Sequence, residues 1–152
     1  MRAVGGPRLS DPTGTMEGMT DPVVPAEQQL PAWFHTVGPG WAGLLARLHE
    51  QLLALAPDYR IESCRRALGG LRIWVAERFD EEGEFDGHWM DAASRLTEET
   101  ETLSERTCEL CGARGRPRFR GGRHGAWITA LCDGCAADPR THSPPEPVPV
   151  CR

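Results

Sequence analysis

The sequence predicts an α+β fold: a helix–β-hairpin–helix layer continued by a small cysteine-stapled module. Three observations carry that prediction. Trp41, Leu44, Leu45, Leu48, Leu52 and Leu55 recur at helical spacing. Residues 59–63 and 71–75 alternate in character about Gly69-Gly70, the pattern of two strands and a turn. Cys108/Cys111 and Cys132/Cys135 form two Cys-x2-Cys pairs separated by the 20 residues 112–131, a spacing that gathers four thiolates on one tetrahedral metal.

At 152 residues the chain has room for one compact domain, or a small domain with a metal-held module. No apolar run reaches the roughly 18–20 residues of a membrane span. No apolar stretch follows Arg2 as it does in a secretory signal. A cytoplasmic location with no membrane partner is therefore expected, and there paired cysteines favour metal over disulfide. The formal net charge of −5 disfavours indiscriminate binding to nucleic acid. That total averages two opposed regions, however: residues 80–105 are acidic and residues 114–123 sharply basic. Arg occurs without any Lys. With abundant Ala, Gly and Pro, this reflects a GC-rich coding sequence rather than a demand for bidentate contacts.

Residues 1–30, rich in Gly, Pro, Ser, Thr and Asp without periodicity, are expected to form a disordered tail. The α+β domain is placed at 31–107. Its lead-in, 31–40, carries Trp33 and Phe34, which gain most from packing onto the domain. Gly38-Pro39-Gly40 punctuates the chain before a first helix at 41–56, which Pro57-Asp58 stops. His49 on that helix is expected to face solvent. The hairpin spans 59–77, with Leu71, Ile73 and Val75 toward the helices and Arg72 and Trp74 away from them. Arg65, Arg66 and Arg72 gather near its turn, either as a solvated hairpin end or as part of an anion-binding face. The acidic loop 78–86 lacks the ligand order of an EF-hand and reads as solvated. The second helix, 88–106, has a thin apolar face of Trp89, Ala92, Ala93, Leu96, Thr100 and Leu103. The rest of it is strongly acidic, so it should lie over the hairpin. The metal module, 108–137, follows without a linker, and 138–152 is a Pro-rich tail expected to be extended.

Within the module, the spacing favours zinc. Each Cys-x2-Cys turn aims two thiolates at one point, and four thiolates complete a structural Zn2+ site. The spacer is long enough for a zinc-ribbon or treble-clef-like hairpin, with strands at 118–120 and 126–131 and a turn at 121–125. Phe119, Trp127 and Ile128 would form its small core, leaving much of the folding energy to the metal. Arg114, Arg116, Arg118 and Arg120 alternate onto one face, with Arg123 at the turn. Like charges so placed require an anion. The phosphate of DNA, RNA or a nucleoprotein is one candidate. The acidic second helix of the same chain is the other, which would hold the arginines in internal salt bridges.

The sequence shows no Gly-rich phosphate loop, no His-Glu-x-x-His and no nucleophile with a companion base, so neither catalysis nor a small-molecule substrate is expected. Cys64 reads as a small semi-buried residue. Four short motifs stand in order along the chain: Gly38-Pro39-Gly40-Trp41, Gly69-Gly70-Leu71-Arg72, Thr107-Cys108-Glu109-Leu110-Cys111-Gly112 and Ala130-Leu131-Cys132-Asp133. Their combination resembles small bacterial and phage zinc proteins of unassigned function, over about residues 38–137. Many of those proteins end in Asp-x-His where this chain has Cys135, an exchange that keeps a zinc ligand. The resemblance implies the same fold and metal and brings no activity. A small non-enzymatic zinc protein is thus expected. It would bind nucleic acid or a nucleoprotein through the Arg-rich loop, with Arg65, Arg66 and Arg72 assisting. The alternative is a phage- or defence-linked adaptor that meets a protein partner through the acidic helix or the hairpin face carrying Trp74.

Overall fold

The computed structural model describes residues 26–123 and 125–144. It contains the predicted α+β order: α1 (Ala42–Leu55), a hairpin of β1 (Ile61–Ala67) and β2 (Gly70–Val75), α2 (Gly87–Ser104), a second hairpin of β3 (Arg116–Gly122) and β4 (Gly125–Leu131), and the short α3 (Asp133–Ala137). Both sheets are two-stranded and antiparallel. Among the described residues, no helix is long and apolar enough to cross a membrane.

The core of the layer is built on α1, whose helical spacing turns Leu45, Leu48 and Leu52 to full burial behind Trp41. Each such side chain contributes about 1.5–3 kcal/mol by leaving water. Leu55, expected on the same face, is exposed, because the chain leaves the helix there and Ala56 takes the buried position. Tyr59 is buried below it. Its hydroxyl accepts from the Leu30 N–H and bonds the His49 ring. His49 is therefore half-buried and partnered, not turned to solvent.

The two expected tails meet the fold sooner than composition implied. Residues 1–25 and 145–152 lie outside the described residues, but Ala26–Gln28 and Leu30–Thr36 are 3-10 helices and Leu30 is fully buried. One large apolar side chain with a core site is enough to order its neighbours, whatever the surrounding composition. At the other end Pro139–His142 forms a 3-10 turn, tied down by the Thr141 hydroxyl on Cys135 O.

The first hairpin turns one residue earlier than the glycine pair suggested. Leu68 (φ 52°) and Gly69 (φ 80°) are the turn residues, and Gly70 already pairs with Ala67 in the ladder. This register keeps Leu71 and Ile73 on the buried face, which a one-residue slip would reverse. Gly70 serves by its smallness instead, since a Cβ there would stand 2.7 Å from Glu105 Cγ.

α2 covers the hairpin with a face more polar than its pattern predicted. Trp89, Ala93, Thr97, Thr100 and Ser104 are buried, while Ala92, Leu96 and Leu103 are half-buried. The three hydroxyls cost little there because each bonds back to a helix carbonyl, of Ser94, Leu96 and Glu101. The helix also caps the open edge of β2. Ser104 Oγ accepts from Leu71 N–H at 2.8 Å and Glu101 Oε1 from Ile73 N–H at 2.8 Å. Side chains thus stand in for a third strand.

Candidate metal centre

Two local devices bring the four cysteines together. The first pair sits in a turn closed by Gly112 N–H on Cys108 O (2.9 Å) and by Cys108 N–H on Ala113 O (2.7 Å). Gly112 has φ 77°, a conformation that favours glycine. In the second pair, Cys132 caps α3, and its sulfur accepts from the Cys135 N–H. The order of knuckle, hairpin and short helix is treble-clef-like. The sulfurs of Cys108, Cys111, Cys132 and Cys135 all lie within 4.8 Å of one another, with Cys111 and Cys132 3.6 Å apart. A tetrahedron with 2.3 Å metal–sulfur bonds has edges of about 3.8 Å, so the cluster has the dimensions of such a site.

The thiols do not ionise alike. Burial pushes the Cys108 thiol up, yet N–H groups of Cys132, Cys111 and Leu110 aimed at its sulfur outweigh that and bring it down to about 7. Cys135 is pushed up to about 12, first by the neighbouring Cys132 and Cys111 thiols. The Ala113 N–H lowers Cys111, but the Cys132 and Cys108 thiols raise it further, and it too ends above the ordinary range. One thiolate is prepared and its neighbours resist ionising beside it. A divalent ion removes that conflict. The donors are all soft thiolates and fill a tetrahedron, the composition of a structural centre.

The first knuckle is also the joint between module and layer. Gly40 N–H donates to Glu109 O at 2.7 Å. A Cβ on Gly40 would lie 2.1 Å from Cys108 O, so only glycine lets the lead-in pass this close. The Trp41 indole N–H donates to Ser104 O (3.1 Å) and Thr107 O (2.9 Å). Glu109 was not singled out from sequence. It is buried, accepts from the Thr129 hydroxyl, and faces Arg66 at 3.5 Å. It thereby ties the first hairpin, the knuckle and β4 together. Its position inside the Thr-Cys-Glu-x-Cys-Gly motif was the available signal.

The arginines divide. Arg116, Arg118 and Arg120 share one face of β3, while Arg114 lies before the strand in a bridge with Thr107. Arg118 donates to Leu131 O and pairs with Asp133, and Arg120 donates to Ala136 O at 2.6 Å. These two fasten the hairpin to α3. Arg114, Arg116 and Arg123 are exposed and have no ion pair among the described residues. The acidic helix engages none of these five. Glu105, which caps its C-terminus, pairs with Arg72 at 3.2 Å, and Arg65 lies over the Trp74 ring at 5.3 Å.

The expected small core of the module is corrected too. Phe119 is 73% exposed and Ile128 is exposed beside it, whereas Ala130 and Leu131 are buried. The hairpin meets the turn of the first one where Pro117 and Ile128 pack against Gly69. No family model matches the chain, and no curated protein or solved structure matches it either.

Proposed function

We propose that the four cysteines hold one structural Zn2+ and that the module it staples binds nucleic acid or a nucleoprotein, without catalysis. The carrying observation is the division of the arginines. Arg118 and Arg120 fix the hairpin, and Arg114, Arg116 and Arg123 are left exposed on it without a carboxylate partner among the described residues. Exposed, unpaired guanidinium groups attract phosphate through release of its counterions. Arg65, Arg66 and Arg72 contribute less, since each already has an aromatic or carboxylate neighbour.

The test is fluorescence anisotropy with mixed-sequence DNA and RNA across a salt series, comparing the wild type with an R114A/R116A/R123A variant. Each lost phosphate contact flattens the salt dependence by about one unit of slope, so the variant's slope falls by about 3 and its affinity with it. Unchanged binding contradicts the reading. A protein-adaptor function has one observation in its favour: Leu68, Phe119 and Ile128 are exposed apolar side chains on the two hairpins. Stoichiometric co-purification with one protein after nuclease treatment would select that reading instead.

A further inference from the structure

Beside the module lies a concavity that the exposed arginines do not explain. A cleft of about 420 Å³ opens between the first knuckle and the turn at Pro139–His142. Trp127, Thr129, Glu109, Arg66 and Arg140 contribute to its lining. Trp127, Ser143 and Pro144 also line a neighbouring trough of about 690 Å³ at the second hairpin, where Arg120, Arg123 and His142 stand. Both are open concavities on the surface, wide enough to receive part of a larger ligand.

The chemistry changes along this path. At the cleft, Trp127 offers an indole, half-buried in the hairpin face. Glu109 offers a carboxylate whose side chain is only 6% exposed. One of its oxygens accepts from Thr129, and the other faces Arg66 at 3.5 Å, too far for a good hydrogen bond. That oxygen is charge-balanced and accepts no hydrogen bond among the described residues, on a residue that lines the cleft. In the trough Arg120 and Arg123 bring guanidinium groups, and the Arg120 Nε–H is buried without an acceptor among the described residues. Gly121, Gly122 and Gly125 line the same trough and allow a chain to approach the backbone closely. An aromatic face and a buried acceptor, followed by guanidinium groups, match a base and then its phosphate.

We propose, resting on the nucleic-acid reading above, that this cleft receives an unstacked base of single-stranded nucleic acid. The base stacks on Trp127 and presents an amino or ring N–H to Glu109, while the adjoining phosphate lies in the trough by Arg120, Arg123 and His142. In a duplex the base faces are hidden in the stack, so a recessed indole selects for single strands.

Anisotropy with a labelled 12-nucleotide single strand and with its duplex, as DNA and as RNA, tests this at one salt concentration. The wild type binds at least one of the two single strands about 10-fold tighter than its duplex, and comparing the DNA and RNA arms shows which. Trp127→Leu removes that preference and leaves duplex binding unchanged, the loss expected of one base–aromatic stack. Photocrosslinking wild-type protein to a single strand bearing 5-iodouracil gives a reading that needs no variant: the crosslinked peptide contains Trp127. Equal binding of strand and duplex, or a crosslink mapping to the first hairpin or α2, overturns the base pocket while the exposed arginines can still bind duplex. If neither strand nor duplex binds, the underlying reading falls and the base pocket with it.

Discussion

Cys64 and Cys108 are equally hidden, at 1% and 0% exposure, yet their thiols are driven in opposite directions. Around Cys64, burial dominates, helped by the Glu101 carboxylate, and the thiol is pushed up to about 12. Around Cys108 burial also pushes up, but the N–H groups of the knuckle overcome it and bring the thiol down to about 7. The contrast separates the two regions by what holds them. The layer closes over apolar side chains and keeps its thiol neutral. The module gathers backbone dipoles around sulfur, buries few large side chains, and prepares a place for a cation.

The sharpest way to break that contrast within the layer is Leu48→Ala. Leu48 is fully buried in the core of the layer, so the loss should be about 2–5 kcal/mol in urea unfolding. A loss below about 1 kcal/mol would mean that burial is not what closes the layer.

Alkaline titration sharpens the thiol half of the comparison. The folded state holds the Cys64 proton to about 12, against an ordinary 9. Its contribution is therefore complete below pH 9 and declines as pH rises from 9 toward 12, by up to about 1.4 kcal/mol per pH unit. Between pH 9 and 10.5 the wild type should lose stability relative to Cys64→Ala. Parallel curves for the two would contradict the assigned environment.

Gly40→Ala probes the joint. Its Cβ would collide with Cys108 O, forcing the lead-in off the knuckle at a cost of about 1–3 kcal/mol. Thermal unfolding should register that loss, and zinc affinity should weaken in the same variant because the knuckle shifts. A variant as stable as wild type would show that the two regions are not seated on each other there. The smallest effect is a gain. Leu68→Asn puts the preferred Asn-Gly pair into the hairpin turn, where Leu68 has φ 52°, and should add about 1 kcal/mol. A loss of stability on this change would mean that the leucine side chain is packed, against its 72% exposure.

Much of this contrast could be read from sequence, and the exceptions are instructive. The helices, both hairpins and the cysteine spacing follow from periodicities that depend on local geometry. The polar face of α2 did not, because Thr97 and Ser104 are buried by satisfying their own hydroxyls within the helix. Exposed Phe119 did not either, because whether an apolar residue is covered depends on what packs over the hairpin tip. The metal ligands were legible residue by residue. The fate of the arginines was not, since Asp133 and the Ala136 carbonyl come within reach only after α3 folds back on β3. Glu109 belongs with these: its partners Arg66 and Thr129 come from two different hairpins.

The proposed metal holds the module, whereas burial holds the layer. Amide hydrogen exchange on the full chain, read by mass spectrometry before and after zinc chelation, tests it most directly. Chelation should strip protection from residues 108–137, while α1 and the β1–β2 hairpin keep most of theirs. Protection that is unchanged across 108–137 after chelation would contradict it.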